Sequence, residues 1–208
     1  IITKKPDTSS LDYGFDVEYG SLKEGAIDSS LEAFVNIPIG SNMAARLSAY
    51  NVQDGGWIDN QKASFTYQNG GINYTINNFT DPYDVAENDY NDSTKEGARL
   101  RLAGEFENFD LDISFLSQDS IVNGSYETDI LNDLQTAEQS RRTNTRFAPE
   151  VYKDNFDQMS ISLSGSITDD IDVVLTSSIF ERDTEYTYDY SSYVEYYSYA
   201  AYSYYVCN

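Results

Sequence analysis

The sequence predicts an all-β chain: an antiparallel up-and-down meander forming part of a large transmembrane β-barrel, with short periplasmic turns and long extracellular loops. Three observations predict it. Segments of about ten residues alternate apolar with polar, which is the period and length of strands that cross an outer membrane. The connections between them run short, then long, then short, with tight turns near residues 41, 108 and 169. No run of about 18 apolar residues exists, so no helix of this sequence spans a bilayer.

Seven strands are expected. The first, 11–19, sets Leu11, Tyr13, Phe15, Val17 and Tyr19 against Asp12, Asp16 and Glu18. A loop is expected at 20–29. The second strand, 30–39, places Leu31, Ala33, Val35, Ile37 and Ile39 on one face, with Glu32 and Asn36 on the other. Gly40-Ser41-Asn42 follows, residue types suited to a hairpin turn. The third strand, 43–51, shows Met43, Ala45, Leu47 and Ala49 outward and Arg46 and Ser48 inward.

A long loop is expected from Val52 to about Glu96. Strand four, 97–106, opposes Ala98, Leu100, Leu102 and Phe106 to Arg99, Arg101 and Glu105. A turn at Asn108 leads into strand five, 110–118, with Leu111, Ile113 and Phe115 against Asp112 and Ser114. The next long loop, from Asp119 to about Phe156, carries mild helical periodicity over 129–140. Strand six, 157–167, puts Met159, Ile161 and Leu163 against a run of serines. Thr168-Asp169-Asp170 turns the chain into strand seven, 171–180, with Val173, Leu175 and Ile179 on one face. The tail after Glu181 is low in complexity and holds ten of the 19 tyrosines. Seven is odd, and an open array would leave two edges in lipid, so a larger protein is expected around this piece.

Composition narrows the function. The net charge is −22, which repels a phosphate backbone and disfavours nucleic acid as a partner. There is no histidine and a single cysteine, Cys207, so no internal disulfide, no His-based triad and no Cys-based zinc site can form. Ile1-Ile2-Thr3-Lys4-Lys5-Pro6 has neither the apolar core nor the cleavage site of a signal peptide, which points to a true N-terminus lying elsewhere. Walker loops and Gly-x-Ser-x-Gly are absent, and chance carboxylate pairs are expected in so acidic a chain, so no enzymatic activity and no catalytic residues are assigned.

The segment Ile1-Ile2-Thr3-Lys4-Lys5-Pro6 resembles the end of the plug domain of TonB-dependent outer-membrane receptors. Val35-Asn36-Ile37-Pro38-Ile39, Ala45-Arg46-Leu47-Ser48-Ala49-Tyr50 and Asp54-Gly55-Gly56-Trp57-Ile58-Asp59-Asn60 resemble that family's second and third barrel strands and the loop after them. Gly97-Ala98-Arg99-Leu100-Arg101-Leu102 is similar to its next downward strand. Thr176-Ser177-Ser178-Ile179-Phe180-Glu181-Arg182-Asp183 is similar to a later upward strand. The resemblance implies residues 1–8 as the end of a plug and 9–208 as the incomplete N-terminal part of a barrel of about 22 strands. It implies residence in the outer membrane of a Gram-negative bacterium, among lipid and lipopolysaccharide. The cargo would be a nutrient such as an iron chelate, a vitamin or a saccharide. The energy would come through TonB, acting on a plug and N-terminal box that this sequence lacks. No cofactor and no resident metal are implied.

Candidate ligand-facing loop residues are Trp57, Tyr83, Tyr90, Tyr126, Tyr188 and Tyr190, because an aromatic ring joined to a polar group stacks on sugars or on an aromatic chelate. The same tyrosines also fit an aromatic girdle, and Trp57 an interface anchor. The inward acids Asp12, Asp16, Glu18, Glu32 and Asp112 either line a cation path or pair with inward arginines. Arg99 and Arg101 form either an anion clamp or ion pairs. The acidic loop 81–92 lacks the spacing of an EF-hand and reads as a solvated loop. Two other classes compete with the receptor: a soluble, secreted acidic β-sandwich adhesin or carbohydrate-binding module, and a hydrolase on a β scaffold.

Overall fold

The computed structural model describes residues 4–69, 71–81, 84–128, 142–168 and 170–191. Eleven strands occur in them: β1 (Asp12–Ser21), β2 (Ile27–Ile39), β3 (Met43–Asp54), β4 (Asp59–Asn60), β5 (Ser64–Asn69), β6 (Ile72–Asn77), β7 (Ser93–Glu105), β8 (Phe109–Asn123), β9 (Thr143–Asn144), β10 (Val151–Thr168) and β11 (Ile171–Thr187). Seven of them build one antiparallel sheet in the order β1-β2-β3-β7-β8-β10-β11. This is the expected meander. The sheet is open, with β1 and β11 as its two edges.

The short connections at 40–42, at 106–108 and between Thr168 and Ile171 all lie at one end of the sheet, and Gly40 takes the positive φ of 73° that the first of them requires. The other end carries the connections between β3 and β7 and between β8 and β10. The expected loops are corrected inward: β3 and β8 run on to Asp54 and Asn123, β7 and β10 begin at Ser93 and Val151, and β4, β5 and β6 lie within the first long loop. Half of residues 20–29 are strand, and a five-residue turn of residues 22–26 joins β1 to β2, closed by the Gly25 amide donating to the Leu22 carbonyl at 3.1 Å. The tail expected from Arg182 is also strand as far as Thr187.

The strands outrun their apolar alternation for a physical reason. Beyond the apolar stretch, the ladder continues on backbone hydrogen bonds and cross-strand polar pairs. Lys153 Nζ meets Glu185 Oε2 at 2.9 Å there, and Arg182 Nε meets Asp154 Oδ1 at 2.7 Å. A pairing of this kind leaves no hydrophobic period to read. The helix suggested for residues 129–140 lies outside the described residues.

The two faces differ sharply. Leu11, Tyr13, Phe15, Leu31, Leu47, Leu100, Phe115 and Ile161 share one face and are all exposed. Among the described residues no second layer covers them. Polar side chains dominate the opposite face, and residues 4–10 lie on it. Asn36 holds that segment with three bonds: its Oδ1 accepts the Asp7 amide at 2.8 Å, and its Nδ2 donates to the carbonyls of Asp7 and Ser10 at 2.9 Å each.

Candidate functional site

The apolar face carries a band whose edges do not follow the register. One row of paired residues runs Val17–Leu31–Asn51–Glu96–Asp119–Asn155–Asp183, apolar at β1 and acidic at β11. The top of the main band is Tyr19 on β1, Leu31 on β2, Ala49 on β3, Ala98 on β7, Phe115 on β8, Met159 on β10 and Ile179 on β11; Ile27 on β2 and Ile121 on β8 are exposed on the same face above it, cut off from it by Ser29 and by Ser117 and Asp119. Ile179 lies in the register row of Tyr13, so the top edge drops six residues over six strand-to-strand steps. The lower edge, from Leu11 and Ile39 through Phe109 to Ile167 and Ile171, drops likewise.

One residue per step, at ~3.3 Å rise and ~4.8 Å between strands, inclines the strands by about 35° to the normal of the band. On β1 the band spans residues 11–19. That is about 26 Å along the strand, or roughly 22 Å of height once tilted.

The opposite face collects cations midway along the strands. Lys4, Arg46, Arg99 and Arg101 line a cavity of about 500 Å³ with Tyr50 and Phe156. Arg101 makes a bidentate pair with Asp112, its Nη2 reaching Oδ2 at 2.6 Å and its Nε both oxygens at 2.9 Å. The Arg46 guanidinium lies over the Phe34 ring at 3.8 Å. Arg99 Nε donates to Ser114 Oγ at 3.1 Å. Of the two readings of the inward acids, Asp112 is thus an ion-pair partner. Asp16 and Glu32 sit directly opposite each other in register.

The connections beyond the long-loop end fold into a polar loop layer ordered by buried asparagines. Asn60, Asn78, Asn91 and Asn144 are all buried. Asn78 accepts the Ala63 amide at 2.7 Å and donates to the carbonyls of Gln61 and Arg146 at 2.7 and 2.9 Å. Asn91 Oδ1 takes the amides of Trp57 and Ile58 at 2.8 and 2.7 Å. Gly56 has a φ of 79°, and a Cβ there would collide with the Asp89 carbonyl. Burial raises the carboxyls of Glu87 and Asp89, and neighbouring acids add to it: Asp92 and Asp84 for Glu87, Asp59 for Asp89.

The candidate aromatics separate on this frame. Tyr90 is 4 % exposed and belongs to the loop core, so the expectation that it faces a ligand is corrected. Its hydroxyl accepts the Glu150 amide at 3.0 Å and donates to the Ala148 carbonyl at 3.4 Å. Burial pushes its phenol up to about 12. Trp57 is half-buried, its amide tied to Asn91. Tyr83 lies outside the described residues. Tyr126, Tyr188 and Tyr190 are exposed.

Tyr126 and Tyr188 meet Tyr152 and Tyr186 around a cavity of about 360 Å³ that Ser125 and Glu127 also line. Ring centroids run from Tyr152 to Tyr186 at 5.8 Å, from Tyr186 to Tyr188 at 4.2 Å, and from Tyr188 to Tyr190 at 6.0 Å. Tyr188 is placed by its neighbour: Asp189 Oδ2 accepts the Phe147 amide at 2.7 Å and so folds the end of β11 over the loop layer.

Sequence reading missed Tyr152 and Tyr186. Their signal is an aromatic on the polar phase of each strand, Tyr152 opposite Tyr186. The buried asparagines carry no such signal, because asparagine in an acidic loop looks solvated. No ring of acids close enough to hold a metal occurs among the described residues. Comparison with family models, with curated proteins and with solved structures gives no match for this chain.

Proposed function

We propose that this chain is part of the barrel wall of an outer-membrane nutrient receptor, with its apolar band in lipid and its polar face toward the lumen. The observation that carries the reading is the slanted band. Outer-membrane strands tilt by ~35–45° and present an apolar belt ~25 Å tall, and the band's inclination and height match both. A soluble sandwich has no reason to slant its exposed apolar residues, and it would cover them with a second sheet.

In this reading the open edges β1 and β11 pair with further strands, because hydrocarbon leaves no partner for an edge amide. The cationic wall of Arg46, Arg99 and Arg101 faces whatever fills the lumen. The loop layer captures the nutrient at the outer surface. The resemblance to TonB-dependent receptors adds the energy source: a plug moved by TonB opens the path. The chain is assigned binding and passage, not catalysis.

Fractionation tests the proposal. Expressed in a Gram-negative host together with the strands that close its edges, as part of the whole barrel, the chain should pellet with the outer membrane and stay there in alkaline carbonate, leaving only in detergent. Recovery in the aqueous phase, folded and free of detergent, overturns it.

A further inference from the structure

We infer that the cleft walled by Tyr126, Tyr152, Tyr186 and Tyr188 is a subsite for a neutral saccharide, an inference that rests on the loop layer being the capture surface proposed above. Three separate stretches of chain build the cleft: the loop after β8, the start of β10 and the end of β11. Tyr186 stands edge-on to both Tyr152 and Tyr188, at interplanar angles of 78° and 75°. The rings therefore form walls at right angles rather than one collapsed stack. A pyranose offers an apolar CH face to one such wall and hydroxyls to its edges, and a tyrosine supplies both a ring face and a hydroxyl. The volume of about 360 Å³ falls at the small end of the ~300–1,000 Å³ usual for ligand sites, room for one or two sugar rings. Glu127 and Ser125 on the rim accept and donate to sugar hydroxyls.

Charge selects against the other cargo class. Among the described residues, the three cations beside the cleft are already paired with acids. Arg146 reaches Glu150 at 3.1 Å and Glu127 at 3.7 Å, Lys153 reaches Glu185 at 2.9 Å, and Arg182 reaches Asp154 at 2.7 Å. An anionic ferric chelate needs cationic donors and meets here a surface of net negative charge, whereas an uncharged sugar carries no such penalty.

Saturation-transfer NMR on the full chain in neutral detergent micelles tests this, with maltohexaose, cellohexaose and xylohexaose as saccharide probes and ferric citrate as the anionic one. At least one hexasaccharide should receive transfer above the empty-micelle blank. Tyr186→Ala and Tyr126→Ala should each weaken it by tenfold or more. Tyr126→Phe, which keeps the ring face, should stay within threefold, and Phe15→Ala on the far face should not change it. Binding of ferric citrate in place of every saccharide, transfer to no saccharide, or saccharide binding indifferent to Tyr126 and Tyr186 each overturns the inference. Membrane fractionation of the same variants separates this from the barrel reading. A membrane-integrated chain blind to sugars refutes only the subsite, and an aqueous chain that binds them refutes only the barrel.

Discussion

Asn60 and Arg146, 86 residues apart in sequence, exchange two hydrogen bonds as if they were paired strand residues. The Arg146 amide donates to Asn60 Oδ1 at 2.7 Å, and Asn60 Nδ2 donates back to the Arg146 carbonyl at 3.1 Å and to the Val85 carbonyl at 2.7 Å. A single side chain therefore joins the β3–β7 connection to the β8–β10 connection. Asn60→Ala should leave the Arg146 amide and the Val85 carbonyl without partners, while Asn78 still donates to the Arg146 carbonyl, at about 1–3 kcal/mol each for those that water cannot reach. Hydrogen exchange should show amides in both connections opening at least tenfold faster, with the seven-stranded sheet unchanged. Asn60→Asp should reproduce only the part that falls on the Val85 carbonyl, because a carboxylate still accepts the Arg146 amide but cannot donate.

Tyr90 gives the loop layer a dependence on alkaline pH. Its folded pKa is raised to about 12, above the ~10 of an unfolded tyrosine. The neutral phenol therefore contributes stability that is complete below pH ~10 and is lost as pH rises toward 12, because the unfolded chain gives up that proton first. Ultraviolet titration at the phenolate band should show a late-titrating tyrosine that Tyr90→Phe removes. The same variant should lose about 1–3 kcal/mol at neutral pH from the stranded Glu150 amide.

The slanted band predicts opposite outcomes within one register row. Phe15, Ala33, Ala49, Ala98, Ser117, Asp157 and Glu181 are paired across the sheet, yet Phe15 lies at mid-band and Glu181 above it. Phe15→Arg should cost ~2–4 kcal/mol, the penalty for a cation at mid-bilayer, while Glu181→Arg should cost no more than ~1 kcal/mol. Urea unfolding in phospholipid vesicles measures both. Equal effects would remove the tilt and with it the membrane orientation.

Asn36 should act as a clasp on the N-terminal segment. Its side chain is completely buried, and all three of its bonds go to the backbone of Asp7 and Ser10. Asn36→Ala should speed tryptic cleavage after Lys4 at least tenfold. The unfolding midpoint of the sheet should move little, since residues 4–10 add no strand to it.

The strand faces were legible because a period of two is local: Leu11 through Tyr19, Met159 through Leu163 and their neighbours announce which side is greasy. The three short turns were legible for the same kind of reason, in Gly40-Ser41-Asn42 and its counterparts. Legibility failed where apolar alternation stopped before the ladder did, as at residues 20–29 and 181–187. It failed too where a polar residue is buried by distant partners, as with Tyr90 and the four loop asparagines.

By itself, then, the amino-acid order determined an antiparallel meander with one apolar and one polar face, since side-chain alternation needs only neighbours along the chain. Tertiary structure alone decided the slant of the band, the convergence of Tyr126, Tyr152, Tyr186 and Tyr188, and the withdrawal of Tyr90 into the loop core. Each of those depends on how far one strand is shifted against the next, or on hydrogen bonds spanning tens of residues, and neither leaves a periodic trace in the sequence.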